Sequence, residues 1–216
     1  MSFRETLFSH VLLIMGCVAS KSKLIFISSR EVDGETSSAP TREDDPLVPS
    51  NIYGLTKLLD ERLVLWAALR YGLDFTILRL TNVYGPEGDQ YNVQAMIRKV
   101  LTEGRIRILG GSQQTNLVYV EDVAEVVRRC LSRAWSNETI NVGSYDSVSV
   151  TEIVSRLVSF VGVRPIIECL PMRNGETLSF RPSLEKVEII LGYRPSTKLD
   201  DGLAKTFQWY RTHLQQ

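Results

Sequence analysis

The strongest constraint on the fold is a strand–helix–strand pattern in the first eighty residues. The run Lys23–Ser29 is apolar until it ends in two serines, and the run Phe75–Leu80 is also apolar. Such runs are typical of strands buried on both faces of a parallel sheet. The segment between Tyr53 and Tyr71 has the length of a helix, and Gly72 is placed to end it. Strand, helix and strand in this order predict a right-handed parallel crossover.

Polar side chains stand where this crossover would bind a ligand. Ser29 ends the first strand, and doubly wound sheets bind ligands at the carboxyl ends of their strands. Tyr53 and Lys57 are four residues apart and share one face of the predicted helix. A free phenol, with a pKa of about 10, is a poor base at neutral pH, but a nearby ammonium favours the phenolate. The pattern therefore favours general base catalysis over a chance pair on an ordinary helix.

Further short motifs follow in order along almost the whole chain. They are Phe26–Ser29, Pro49–Lys57, Arg79–Pro86, Val118–Ala124, Asn141–Ser144, Arg173–Gly175 and Leu191–Pro195. In this order they resemble the extended short-chain dehydrogenase/reductase group, and within it the NAD-dependent epimerase/dehydratase family. The resemblance implies a partial Rossmann-type doubly wound parallel sheet with a smaller C-terminal α/β substrate domain. We expect the first domain at 1–85 and the second at 86–216, with segments around 117–142 returning to the first sheet.

The resemblance also implies roles for the residues of the site. Tyr53 would take a proton from a sugar hydroxyl while hydride leaves for the nicotinamide ring of NAD, with NADP as an open alternative. Lys57 would lower the pKa of the tyrosine and bind the nicotinamide ribose. Ser29 would bind and orient the reacting hydroxyl, although Ser28 could do so instead.

Glu31 bears on the type of reaction. Dehydratase and decarboxylase members carry a glutamate at this position that works on the sugar ring, so Glu31 is a candidate catalytic residue. Some dehydratases have an acidic aspartate where this chain has Arg30, which cannot donate a proton near neutral pH. Pairing between Glu31 and Arg30 at the surface is the equal alternative.

Four other positions bear on the substrate. The resemblance implies that Asn82 and Arg173 bind the phosphate side of a nucleotide sugar, and a guanidinium fork matches phosphate oxygens. Thr115 stands where many nucleotide-sugar members carry a phosphate-binding arginine, and Asp33 stands where the family usually has a tyrosine. Both departures favour an unusual substrate.

The chain contains no glycine-rich turn of the kind that holds a dinucleotide pyrophosphate at a helix N-terminus. Gly110 and Gly111 lie between short apolar stretches and predict a hairpin turn instead. About the first third of a typical family member is therefore absent, which would leave the Lys23–Ser29 strand with an open apolar edge. We favour a truncated sequence over a real loss of the chemistry.

Composition excludes few classes of protein. The 216 residues are 44% hydrophobic and 23% charged with a net charge of zero, so nothing favours a nucleic acid or a membrane as partner. Three cysteines without metal-ligand spacing and only two histidines argue against a metal site, and the cysteines fit a reducing cytoplasm. The resemblance implies a homodimer through the helices at 3–20 and 53–71.

Three functions stay open at this point. The leading one is an NAD-dependent nucleotide-sugar epimerase or dehydratase. The second is an NAD(P)-dependent reductase of a small carbonyl compound, which would not need a phosphate contact at Arg173. The third is a non-catalytic, degenerate subunit that borrows a sheet edge from a partner.

Overall fold

The structure is a computed structural model that describes residues 3–35, 40–88, 92–132, 137–162, 165–172 and 179–214. The chain forms two compact units, each built from three segments. The first unit comprises Met1–Thr81, Glu125–Val142 and Pro182–Arg194. The second unit comprises Asn82–Ala124, Gly143–Arg181 and Pro195–Gln216.

Helices and strands make up most of the described residues. The helices are α1 (Phe3–Ser20), α2 (Ile52–Tyr71), α3 (Asn92–Glu103), α4 (Val120–Cys130), α5 (Val150–Val161), α6 (Glu185–Leu191) and α7 (Leu199–His213). The strands are β1 (Leu24–Ser29), β2 (Phe75–Leu80), β3 (Asn82–Tyr84), β4 (Arg105–Leu109), β5 (Gln114–Tyr119), β6 (Glu138–Val142), β7 (Ser147–Ser149) and β8 (Ile166–Leu170). A 3-10 turn, Arg30–Val32, follows β1 directly.

The sheet of the first unit has the strand order β1-β2-β6, and both pairings are parallel. Helix α2 connects β1 to β2, which confirms the predicted parallel α/β architecture. Helices α1 and α2 pack on this sheet because their apolar side chains meet those of the strands. Ile14, Val64, Phe26 and Ile77 are all buried in this core.

Strand β1 lies at an edge of this sheet. Within the described residues it pairs with β2 alone. Ile27, in the middle of the strand, keeps 41% of its surface exposed. The expectation of an open apolar edge therefore agrees with the pairing of the described strands.

The second unit combines two smaller sheets with an apolar core. One sheet has the order β3-β5-β7, and the other consists of β4 and β8 in parallel. Helices α3, α5 and α7 contribute buried side chains to its core, among them Ile97, Leu157, Leu203 and Phe207.

The predicted hairpin at Gly110 and Gly111 is wrong. Strands β4 and β5 flank these glycines but belong to different sheets. The Gly110 N–H donates to the carbonyl of Leu170 in β8, and the Gly111 carbonyl accepts from the N–H of Thr151 in α5. The backbone of the turn is thus bonded to distant elements, which a local reading of two glycines cannot detect.

Helix α4 ends at Cys130. The next two N–H groups, of Leu131 and Ser132, bond to the carbonyls of Arg128 and Arg129 three residues back, a tighter spacing that closes the helix.

None of the helices in the described part of the chain is both long enough and apolar enough to cross a lipid bilayer.

Candidate active site

The carboxyl end of β1 leads directly into the 3-10 turn, and Ser29 joins the two. Ser29 has extended backbone angles, and its Oγ accepts a hydrogen bond of 3.2 Å from the N–H of Glu31. This contact caps the turn and fixes the side chain of Ser29. Because a hydroxyl is donor and acceptor at once, Ser29 keeps its own proton for another acceptor.

Helix α2 begins at a side chain that is also bonded to this turn. Asn51 caps the helix, and its Oδ1 accepts from the N–H of Gly54 at 2.9 Å. The Nδ2 of the same amide donates to Oε2 of Glu31 at 2.7 Å. Glu31 also forms an ion pair with Arg30. Glu31 therefore ties the turn after β1 to the N-terminus of α2.

Gly54 allows α2 to approach the turn closely. A Cβ at this position would lie 2.2 Å from the carbonyl oxygen of Glu31 and 3.1 Å from the Cβ of Pro49. No side chain larger than hydrogen fits that space without movement of the backbone. Tyr53, the preceding residue, is thereby fixed in the first turn of α2, and 54% of its surface is exposed.

Lys57 reaches from α2 to the open edge of β1. Its Nζ donates to the carbonyl of Ile27 at 2.9 Å and lies 5.2 Å from the centre of the Phe26 ring. Burial lowers the pKa of Lys57, although the charges of Asp60 and Glu61 oppose this change. Because Ile27 is two residues from Ser29, the ammonium lies near the carboxyl end of the strand.

The first unit thus gathers four of the predicted site residues around the carboxyl end of β1. Ser29 and Glu31 come from the strand end and its turn, while Tyr53 and Lys57 come from the first turns of α2. An ordered serine hydroxyl, an exposed phenol and a half-buried ammonium are groups that can move and orient a proton.

Two further residues, Asn82 and Arg173, are predicted to bind the substrate. Asn82 begins β3 in the second unit, where its Nδ2 donates to Oγ1 of Thr115 at 2.7 Å. The pair joins Asn82 to the position at which the family resemblance leads us to expect an arginine. Arg173 lies outside the described residues.

A buried cluster of charged side chains behind the site escaped the sequence analysis. Arg79 of β2 holds Glu61 of α2 with two hydrogen bonds, of 3.1 and 2.9 Å. Oε1 of Glu61 also accepts from Oγ of Ser28 at 2.5 Å. Ser28, the alternative to Ser29, is therefore engaged with the cluster. The sequence feature that could have revealed the cluster is Glu61, a charged residue one turn after Lys57 in a largely apolar helix.

The same arginine reaches the loop region beyond the turn. Its Nη1 lies 3.4 Å from Oδ1 of Asp33 and donates to the carbonyl of Glu43 at 3.1 Å. Arg79, Glu61 and Asp33 are each less than 5% exposed. The cluster therefore binds β1, β2, α2 and the turn to one another.

A second buried contact joins the two helices of the first unit. Asp60, next to Glu61, is fully buried, and its Oδ2 lies 2.8 Å from Nδ1 of His10 in α1. Helix α2 thus carries two adjacent buried carboxylates, each with a different basic partner. Charged residues are rarely buried this completely unless they are paired.

Comparisons with known proteins identify the family of the chain. Residues 5–143 match the model of the NAD dependent epimerase/dehydratase family. A Methanocaldococcus jannaschii protein, provisionally named UDP-glucose 4-epimerase, is 32% identical over 197 residues, which cover 88% of this chain and 64% of that protein. A UDP-N-acetyl-alpha-D-glucosaminuronate decarboxylase of Bacillus cytotoxicus is 29% identical, with coverage of 92% and 67%.

Solved structures of similar proteins superpose closely on this chain. The structure of MoeE5 in complex with UDP-glucose and NAD superposes with a TM-score of 0.90 at 30% identity, covering 96% of this chain and 71% of that one. The UDP-glucose 4-epimerase of Thermotoga maritima, solved with UDP-glucose, has a TM-score of 0.89 at 28% identity, with coverage of 95% and 69%. The chain spans about two thirds of the length of these relatives, and it belongs to the NAD-dependent epimerase/dehydratase family.

Proposed function

We propose that the protein acts as an NAD-dependent nucleotide-sugar epimerase or dehydratase in which Ser29, Tyr53 and Lys57 carry the reaction. The observation that carries this proposal is the close packing of α2 on the turn after β1. Gly54 and Asn51 hold the helix there, so that Tyr53 and Lys57 stand beside the end of the strand that bears Ser29.

The residues of the first unit fit the nicotinamide end of NAD. Lys57 has three N–H donors, and the carbonyl of Ile27 accepts from one of them. The others suit the hydroxyl groups of a ribose. When bound, NAD supplies the acceptor for a hydride from the sugar carbon. NADP stays an alternative, because no described contact discriminates between the two cofactors.

The proton chemistry rests on this chain's own groups. Tyr53 takes the proton from the sugar hydroxyl, and the ammonium of Lys57, one helical turn away, stabilises the phenolate that this requires. Ser29 donates its hydroxyl proton toward the reacting oxygen while one of its two lone pairs accepts from the N–H of Glu31.

The contacts of Glu31 support positioning over direct action on the sugar. Its carboxylate pairs with Arg30 and accepts from Asn51, which begins the helix of Tyr53. This favours the pairing alternative that the sequence left open. Epimerisation then becomes the better supported reaction, since it needs no further acid in the site.

The substrate class comes from the relatives, which include proteins that act on UDP-sugars. Asn82 stays a candidate for the phosphate side, and so does Arg173. One contact supports the reductase alternative: Asn82 is bonded to the neutral Thr115, so this pair brings no positive charge to a phosphate.

A homodimer through α1 and α2 is part of the proposal. These helices carry large apolar side chains that are exposed in the single chain. They are Leu12, Leu13, Leu55, Leu59, Trp66 and Leu69. A face of this kind is typical of a protein–protein contact. Localisation in the cytoplasm stays a prediction.

The test is turnover of UDP-glucose and UDP-glucuronic acid by the chain with added NAD, followed by chromatography of the products. We expect Tyr53→Phe to reduce kcat by about 10²- to 10⁴-fold, the usual contribution of a general base. Tyr71→Phe is the matched control, because Tyr71 ends the same helix and is also exposed.

Full turnover by Tyr53→Phe would contradict the assigned base. Absence of both turnover and NAD binding, in this chain and also in a protein in which a glycine-rich dinucleotide-binding segment precedes it, would contradict the catalytic proposal as a whole and support a non-catalytic subunit. Conversion of a small carbonyl compound but of neither UDP-sugar would support the reductase.

A further inference from the structure

Asp33 belongs both to the turn that follows Ser29 and to the buried charged cluster around Arg79. Its N–H donates to the carbonyl of Arg30 at 3.1 Å and closes the 3-10 turn that begins at Ser29. Its side chain points inward, is 1% exposed, and reaches Arg79 with Oδ1. Within the described residues, its buried Oδ2 has no hydrogen-bond partner.

The charges around Asp33 are unbalanced. Arg79 is shared between two carboxylates, and Glu61 takes its two shorter hydrogen bonds. Asp33 keeps only the contact of 3.4 Å. Ionising a buried carboxyl group costs free energy when its nearest cation is distant and one of its oxygens accepts no hydrogen bond. Burying the neutral acid costs less.

Every element packed around Asp33 contributes to its ionisation. The pKa of Asp33 is raised to about 7, chiefly by burial; Arg79 on β2 opposes this rise, and Glu61 on α2 adds to it. Arg30 in the turn lowers the pKa, and Asp45 in the following loop raises it, both to a smaller extent. The carboxyl group therefore changes charge close to neutral pH.

We propose that Asp33 is a positioning residue whose charge state sets the turn between Ser29 and Glu31. Ionisation strengthens the attraction to Arg79 and draws the turn toward β2. Protonation weakens that attraction and releases the turn toward α2. The Glu31 N–H, which donates to Ser29 Oγ, lies within this turn and transmits the change to the serine hydroxyl.

The consequence for catalysis rests on the proposed function, in which Ser29 orients the reacting hydroxyl. Asp33 acts through Arg79 and the turn, without contact to the substrate. The turn, its cap and Arg79 all belong to the first unit, so this coupling needs no part of the second.

The test is a pH titration of the whole chain by NMR between pH 5 and 9, without substrate or NAD. Aspartate carboxyl carbons are labelled with ¹³C and backbone amides with ¹⁵N. We expect the Asp33 carboxyl carbon to titrate with a midpoint close to 7 and the Glu31 amide to shift with the same midpoint. In Asp33→Asn, an isosteric change, both transitions should vanish.

Two control variants separate this effect from other titrations. Asp44→Asn changes an exposed carboxylate of the neighbouring loop and should keep both transitions. His10→Gln removes the imidazole next to Asp60 and should keep them too. If Asp33→Asn fails to fold, the titration of the wild-type chain and of the two control variants still shows whether the Asp33 carboxyl carbon and the Glu31 amide share a midpoint.

An Asp33 carboxyl that titrates below pH 5 would overturn the proposal, and so would a Glu31 amide that does not follow it. Neither result depends on turnover, so the charge coupling can fail while Tyr53 remains the base. Conversely, an inactive chain that shows both transitions would count against the proposed enzyme activity alone.

Discussion

The two units of the chain stabilise their interiors by different chemistry. The interior of the first unit contains ionisable side chains in contact with one another, centred on Arg79 and on the pair of Asp60 and His10. The core of the second unit is apolar and aromatic, while ion pairs such as Arg156 with Asp200 lie near its surface. The buried cluster around Arg79 thus lies in the unit that bears the proposed catalytic residues, whereas buried Asp122 of the second unit accepts hydrogen bonds from the backbone N–H groups of Ser196 and Thr197.

The difference has a physical meaning. Apolar packing is non-directional and stabilises any arrangement that excludes water. A buried arginine with two carboxylates allows few arrangements, because each displaced group leaves an unpaired charge. We infer that the cluster around Arg79 contributes more to the orientation of α2 than to the net stability of the unit.

The largest effect is expected for Arg79→Met, which removes the cation from this cluster. Glu61 and Asp33 then lose their partner, and breaking a buried pair in this way typically costs about 3–5 kcal/mol of unfolding free energy. Urea denaturation at pH 8 measures the loss. Arg42→Met is the matched control, because Arg42 is mostly exposed and its ion pairs contribute about 0–1 kcal/mol.

The pH dependence sharpens this test. The folded pKa of Asp33, about 7, lies above its unfolded value of about 4, so the contribution of Asp33 to wild-type stability falls as pH rises between the two values and levels off above 7. Without Arg79 the pKa of Asp33 rises further, and the fall continues to higher pH. The difference between variant and wild type should therefore be larger at pH 8 than at pH 5. An equal loss at both pH values would exclude Asp33 from the cluster's energetics.

The next effect is expected in the apolar core of the second unit. Leu157→Ala removes a fully buried side chain of α5 and should lower the unfolding free energy by about 2–5 kcal/mol, the range for such cavities. In contrast to Arg79→Met, the loss should be equal at pH 5 and pH 8, because its neighbours in this cluster are apolar. Leu170→Ala, at an exposed position of β8, should cost less than about 1 kcal/mol. A pH-dependent loss for Leu157→Ala would remove the contrast between the units.

The sequence predicted those features that depend on neighbouring residues. The apolar runs of β1 and β2 and the four-residue spacing of Tyr53 and Lys57 are local patterns, and α2 does end at Gly72, where φ is +69°. Arg79 and Asp33 are 46 residues apart, and no periodicity links them. Their contact depends on the parallel register of β1 and β2, which emerges only with the fold.

Two further features could have been predicted from the sequence only in part. Asn51 precedes the apolar start of α2, and the preference of asparagine for helix N-caps could have identified it. Its second bond, to Glu31, could not have been identified, because the turn and the helix are 20 residues apart. The same holds for β4, which pairs with β8 rather than with its neighbour β5.

The smallest stability effect, and the most informative about the site, is expected for Gly54→Ala. An added methyl would meet the Glu31 carbonyl at 2.2 Å, and overpacking of this kind typically costs about 1–3 kcal/mol. Gly16→Ala is the matched control, since Gly16 lies in the exposed middle of α1 with nothing within 4 Å of a new Cβ. That change should stabilise the protein by roughly 0.5–1 kcal/mol, because alanine restricts the unfolded chain and favours the helix.

The two glycine variants should therefore differ in sign, which urea denaturation of both proteins resolves directly. Gly54→Ala should also reduce turnover more than its loss of stability explains, because the helix must move away from the turn and takes Tyr53 and Lys57 with it. A displacement of about 1 Å at a catalytic group can reduce the rate by roughly 10²-fold. If Gly54→Ala instead stabilised the chain as much as Gly16→Ala, α2 would not be held against the turn. The close approach that supports the proposed site would then be absent in solution.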